Sequence, residues 1–252
     1  MISYKPMSDK PSVRSPWFWV PSLYFAQGIP YVAVMIVSVL MYKRLGVSNT
    51  DIALYTSWLN LPWVIKPFWS PFVDLLKTKR WWVATMQLLI GAGLAGVAFT
   101  IPTTFFFQAS LAVFWLLAFS SATHDIAADG FYMLALDSHE QAFFVGIRST
   151  FYRIAIIAGQ GVLVMFAGFL ENSTGNIPLA WSVTFFILGG LFLALFLYHR
   201  YILPLPKGDK PSATVTPSTI LKEFFATFAS FFKKKQAFVA ILFMLLYLSL
   251  IH

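Results

Sequence analysis

Residues 104–153 read TFFFQASLAVFWLLAFSSATHDIAADGFYMLALDSHEQAFFVGIRSTFYR. Two apolar runs flank the polar turn Asp137-Ser138-His139-Glu140. Each run is longer than the roughly 20 apolar residues that carry an α-helix across a bilayer. Two such runs joined by so short a turn form an antiparallel helix pair. Inside them sit His124, Asp125, Asp129, Arg148 and Arg153. Ionisable groups at membrane depth are costly and, as a rule, functional.

The rest of the chain repeats the pattern. Further apolar runs cover 17–42, 52–73, 81–100 and 179–198, which with 104–136 and 141–170 predicts six membrane spans. The run 17–42 is interrupted by Gly28-Ile29-Pro30, and 52–73 carries Pro62, Pro67 and Pro71. Composition agrees: 58% of the 252 residues are hydrophobic and 11% charged, against about 25% charged in a soluble domain. Mean hydropathy is +0.72. With no cysteine there is no disulfide framework, thiol nucleophile or thiolate metal site. The net charge of +8 does not point to nucleic acid, because the basic residues lie between apolar runs rather than on one polar face.

The domain plan follows. Residues 1–16 form a polar tail without the short apolar core and cleavage site of a signal peptide, so the first span is expected to stay as the insertion signal. A six-helix bundle occupies 17–198, and a linker rich in Pro and Lys extends over 199–236. Within that linker, 217–235 places Ile220, Leu221, Phe224, Phe225, Phe228, Phe231 and Phe232 in steps of three and four, which predicts one apolar helical stripe. It suits a helix lying on the membrane or packed on the bundle. The run 237–252 reads as an incomplete seventh span: its 15 apolar residues rise about 22 Å, against a hydrocarbon core of about 30 Å.

The Lys/Arg tally sets the expected orientation. With the N-terminus cytoplasmic, thirteen Lys and Arg lie inside, including Lys77, Lys79 and Arg80, and only Lys43 and Arg44 lie outside.

Folding spans four and five about their turn puts Asp129 level with Arg148 and Asp125 level with Arg153. At least one Asp–Arg pair is therefore expected. The two aspartates share a helix face, whereas the two arginines diverge by about 140°, so both pairs cannot form equally well. Lys66 in the second span is a further cation near this depth. Such a group serves either as a proton- or substrate-linked network or as a fixed ion pair that orients helices. Gln27, Gly28 and Pro30 read either as a pathway-lining break or as a packing kink. Gly159-Gln160-Gly161 reads as a close-packing site.

Enzyme chemistry is not expected. His124, Asp125 and Asp129 lack the second supporting His or Glu of a metal site, and two aspartates on one helix are not the facing carboxylates of a protease dyad. No metal or cofactor is implied.

The residues carry a family resemblance. Asp74 followed by Lys77, Lys79 and Arg80 resembles the acidic-plus-basic loop gate of the major facilitator superfamily, without its usual glycines. The stretch from His124 to Gly130 is similar to the Gln-Asp-Ile-Ala-x-Asp segment of AmpG-type muropeptide permeases and the related acetyl-CoA transporters, with His124 in place of Gln. Gly28-Ile29-Pro30, the segment from Leu61 to Pro71 with Lys66, and Tyr152-Arg153-Ile154 match as well. The likeness covers about residues 17–205 and implies the N-terminal half of a secondary transporter in a bacterial inner membrane. It implies proton-coupled import of anhydro-muropeptides, with Asp125 or Asp129 carrying the proton and Arg153 and Lys66 balancing substrate carboxylates. Tyr152 would line the pathway. The missing C-terminal half would be the essential partner, with the lipid bilayer, the substrate and protons. The same fold moving acetyl-CoA or a peptide, and a non-transporting membrane sensor or scaffold, are the alternatives.

Overall fold

A computed structural model describes residues 15–210, together with the isolated positions 225, 226, 229, 230, 233, 239, 242 and 243. The expected surface helix at 217–235 and the seventh span from 237 fall largely outside the described residues. Everything regular that is described is helix, and six helical segments follow one another.

The first segment, α1, is Pro16–Arg44. Its α-helical part Val20–Val32 runs unbroken through Gly28-Ile29-Pro30, and a π-helical stretch Ala33–Val37 follows. The interruption expected at Pro30 is thus displaced by one turn. The ring removes one backbone donor, and the wider π turn takes up the irregularity. Gly46, at φ 84°, ends the turn after α1 in a conformation costly for residues with a Cβ.

The second segment, α2, departs most from expectation. It consists of Asn49–Thr56, Ser57–Asn60, Leu61–Ile65, Lys66–Phe68 and Ser70–Leu76, alternating α and 3-10 geometry. Pro62, Pro67 and Pro71 each sit at the first or second position of a new piece, where the missing N–H costs nothing. The predicted single second span is a jointed rod. Among the described residues, five continuous helices, not six, are therefore long and apolar enough to cross a membrane.

The others are α3 Lys79–Thr100, α4 Phe106–Ala135, α5 Ser138–Thr174 and α6 Ile177–Ile202. Caps explain their starts. Trp81 N donates to Thr78 Oγ1 at 3.1 Å ahead of α3. Asp137 and Glu140 form a reciprocal capping box at α5, with N–O distances of 2.9 and 3.1 Å. Leu179 N donates to Asn176 Oδ1 at 3.0 Å ahead of α6.

Segments alternate in direction. The end where α1 begins, called the near end, gathers Trp19, Phe131, Phe144 and Leu203 from α1, α4, α5 and the chain after α6 in one buried cluster. A second cluster toward the far end holds Met41, Tyr42, Phe114, Phe185 and Phe192. Helix α3 lies between α4 and α6, α1 packs along α5 and α4, and the pieces of α2 rest mainly on α4. Outward faces are apolar: Leu116, Ile157, Val162, Met165 and Phe169 are all exposed. A surface of that kind suits hydrocarbon, which makes the chain a multi-pass membrane protein. The architecture is consistent with one six-helix half of a major-facilitator fold.

Candidate functional site

The site is built on one face of α4, in its near-end half. Asp125 is 7% exposed. Its Oδ2 lies 3.7 Å from Nζ of Lys66, which the second joint of α2 presents. Pro67 sets that joint, so the same residue that breaks the helix turns the lysine inward. Gln27 of α1 and Trp63 of α2 stand beside the same carboxyl. Asp125 Oδ1, Gln27 Oε1 and Trp63 Nε1 are nevertheless buried without a well-formed hydrogen bond. Tyr31 packs edge-on against Trp63, with centroids 5.2 Å apart.

One turn on, Asp129 Oδ1 accepts from the Tyr24 hydroxyl at 3.0 Å and lies 3.3 Å from Nη2 of Arg148. The Arg148 guanidinium also faces two rings, with Cζ 4.7 Å from the centroid of Tyr24 and 5.1 Å from that of Tyr132. A cation between two aromatic faces gains electrostatic attraction from both quadrupoles.

Depth matching thus placed Asp129 with Arg148 correctly, but Asp125 pairs with Lys66 and not with Arg153. The divergence of the two arginines around α5 is the reason. Arg153 is exposed, and no carboxylate among the described residues lies within ion-pair distance of it. Tyr152 is half-buried next to Gly28.

His124 stands elsewhere than expected, and Gly28 and Pro30 take the packing alternative of their two readings. His124 is fully buried and turned away from the acidic face, with Nε2 3.1 Å from Nε2 of Gln87 on α3. Successive side chains on a helix are about 100° apart, so His124 and Asp125 cannot serve one site. Gly28 and Pro30 are buried in the contact of α1 with its neighbours. A Cβ on Gly28 would come within 2.7 Å of Ala155 Cβ and 2.9 Å of the Tyr152 carbonyl oxygen. Gly159 is a second point of this contact, where a Cβ would meet Val32 Cγ1 at 2.1 Å, whereas Gly161 faces open space.

At the near end, Asp74 pairs with Lys79, whose side chain crosses Gly130 of α4. Arg80 donates to the Arg200 carbonyl, and Lys77 Nζ lies 6.0 Å from the Trp81 ring. The carboxylate of Asp209 accepts from the backbone N–H groups of Lys79 and Arg80, at 2.6 and 3.0 Å. It ties the chain beyond α6 to the start of α3. At the far end, Glu171 accepts from Arg44 Nε at 2.9 Å and from Trp181 Nε1 at 2.7 Å, joining α1, α5 and α6. Sequence reasoning missed Gln87, Glu171, His199 and Asp209. Gln87 and Glu171 carried a usable signal, as polar residues within apolar runs. Among the described residues, no group of three or more His, Asp and Glu stands close enough to hold a metal ion.

What this arrangement offers is two carboxylates on one wall, each facing a cation from a different helix. The sequence matches the BT1 family over residues 25–251. It is 28% identical over 234 residues to the putative transporter AmpG 4 of Rickettsia conorii, covering 87% of this chain and 53% of that protein. It is 24% identical over 233 residues to the anhydromuropeptide permease of Escherichia coli K12, covering 89% of this chain and 44% of that one. An uncharacterised protein of Schizosaccharomyces pombe is 28% identical over 145 residues, 52% of this chain and 28% of its own length. The chain spans about half the length of its bacterial relatives.

Proposed function

We propose, from the premise that this chain belongs to the BT1 family, that it forms one wall of a proton-coupled secondary transporter importing anhydro-muropeptides or related cell-wall turnover products. The observation that carries the reading is the pairing of Asp125 with Lys66 and of Asp129 with Arg148 along one face of α4. The relatives named as a transporter and as a permease support the class.

The two aspartates divide the work. Asp129 is held by a hydroxyl and a guanidinium and acts as the fixed member. Asp125 has one loose ion pair and an unpartnered oxygen, so it is the group that exchanges a proton as Lys66 approaches or withdraws. Exposed Arg153 and half-exposed Lys66 offer positive charge to the carboxylates of a peptide stem. The second wall would be a second half of the kind that the greater length of the bacterial relatives leaves room for, because alternating access works between halves around a midplane site. Asp74, Lys77, Lys79 and Arg80 gate the near end, which the Lys/Arg bias assigns to the cytoplasm of a cell with this protein in its inner membrane.

The test uses the full-length protein in liposomes under an imposed pH gradient. Proton-driven uptake of a labelled anhydro-muropeptide should be lost in Asp125→Asn and retained in part in Asp129→Asn. Full uptake by Asp125→Asn would end the proton role. Competition by coenzyme A esters but not by muropeptides would move the substrate to the acetyl-CoA branch, and no flux of either would favour a sensor or scaffold.

A further inference from the structure

A buried hydrogen-bond chain crosses the bundle on the side of α4 away from the carboxylates. Ser22 Oγ of α1 lies 2.9 Å from Nε2 of His199 on α6. The Gln87 amide of α3 reaches His199 Nδ1 with its nitrogen at 2.9 Å and its oxygen at 3.0 Å. Its nitrogen also lies 3.1 Å from Nε2 of His124 on α4. Gln87, His124 and His199 are all fully buried. Four helices contribute one residue each, and the transport reading uses none of them directly.

A neutral imidazole has one donor and one acceptor nitrogen, whereas an amide nitrogen carries two donor hydrogens and an amide oxygen two acceptor lone pairs. Four arrangements therefore make every link a donor–acceptor pair. With its nitrogen toward His124, the Gln87 amide donates to His124 Nε2, and that ring carries its proton on Nδ1. With the amide turned over, an orientation of the same shape, His124 Nε2 donates to the Gln87 oxygen. In either orientation His199 Nδ1 can accept from the amide nitrogen, so that His199 Nε2 donates to Ser22. Alternatively His199 Nδ1 donates to the amide oxygen and Ser22 donates to His199.

His124 Nδ1 has no partner. A proton on that nitrogen would be an unpaired buried donor, whereas Nε2 protonation leaves only a lone pair there, and an orphaned buried donor is the rarer defect. A proton on His199 Nε2, donated to Ser22, in turn lets the Ser22 hydroxyl donate to the Trp19 carbonyl, 3.2 Å away. Geometry therefore favours Nε2 protonation of both rings.

We propose that Gln87 is a positioning residue for the acidic face: its single amide hydrogen-bonds both His124 and His199 and thereby fixes the rotation of α4. Holding His124 against α3 and α6 turns Asp125, about 100° further round the helix, toward Lys66 and Gln27. Asp129 follows on the same face toward Tyr24 and Arg148. The importance of that face rests on the transport reading; the hydrogen bonds of Gln87 and the rotation do not.

The test uses the 252-residue chain in nanodiscs, with its four histidines labelled with 15N and assigned through His124→Gln and His199→Gln. Expected are His124 and His199 both protonated on Nε2. A proton on Nδ1 of either ring would overturn this hydrogen-bond assignment. Because the chain has no cysteine, Asp129→Cys supplies a lone thiol at a position whose side chain is 43% exposed. Adding Gln87→Met, similar in length but without the amide, should change its labelling rate by a water-soluble maleimide severalfold. An unchanged rate in a folded protein would overturn the positioning role. Should Asp125→Asn transport fully, the transport reading fails while both measurements still decide this one.

Discussion

Arg148 lays its guanidinium against the ring of Tyr24, Cζ 4.7 Å from the centroid, and both residues reach the same oxygen of Asp129. Three helices meet at that oxygen, so the two contacts are not independent. Tyr24→Phe should cost about 1.5–3 kcal/mol, the worth of a hydrogen bond to a charged group. Arg148→Lys keeps the charge but loses the planar contact with both tyrosines, and should cost about 1 kcal/mol. Unfolding of the single and double variants in detergent should give a coupling energy of about 0.5–2 kcal/mol. Strict additivity would mean that the stacked geometry contributes nothing.

Lys66 and Asp125 form a looser pair, and removing one partner exposes the other's dependence on it. Lys66→Met leaves a nearly buried carboxylate without its cation. Because the lysine side chain is 36% exposed, the cost should fall below that of breaking a fully buried pair, at about 1–3 kcal/mol. Lys66→Met with Asp125→Asn should be more stable than Lys66→Met alone, as thermal unfolding would reveal. A double variant less stable than the single one would show that the pair is not the interaction that matters.

The glycines of the α1–α5 contact make a contrast within one helix pair. Gly28→Ala puts a methyl against backbone oxygen, and Gly159→Ala puts one against Val32. Each should destabilise by about 1–3 kcal/mol through overpacking. Gly161→Ala meets nothing within 4 Å and should be neutral or stabilise by up to about 1 kcal/mol, the helix preference for Ala over Gly. Thermal midpoints of the three variants check the order.

The chain after α6 is held by its carboxylate cap on α3. Asp209→Ala should remove about 1 kcal/mol from the first turn of α3, and hydrogen exchange at the Lys79 and Arg80 amides should accelerate roughly fivefold. Unchanged exchange at those two amides, with the rest of α3 as reference, would show that Thr78 alone maintains the helix start.

The acidic face was largely legible before the structure. Asp125 and Asp129 four residues apart, and Asp129 equidistant with Arg148 from a tight turn, place one ion pair by helical arithmetic alone. The partner of Asp125 was not legible. It comes from a lysine on a different helical segment, aimed by a 3-10 joint that proline spacing hints at but does not orient. His124 shows the same limit: its proximity to Asp125 in sequence suggested a shared site, and its azimuth placed it with Gln87 and His199.

The sequence by itself determined that this is a helical membrane protein. Long apolar runs have no stable alternative in a bilayer, where every backbone group must be satisfied within its own segment. It also determined which charges lie at depth, since that follows from counting residues along a helix. Tertiary structure alone decided what faces what: that Asp125 takes Lys66, that Arg153 is left exposed, that His124 joins a buried clamp, and that Asp209 returns to cap α3. Those choices depend on helix rotation and on where prolines bend the chain, and both are settled by the packing of neighbouring helices rather than by local sequence.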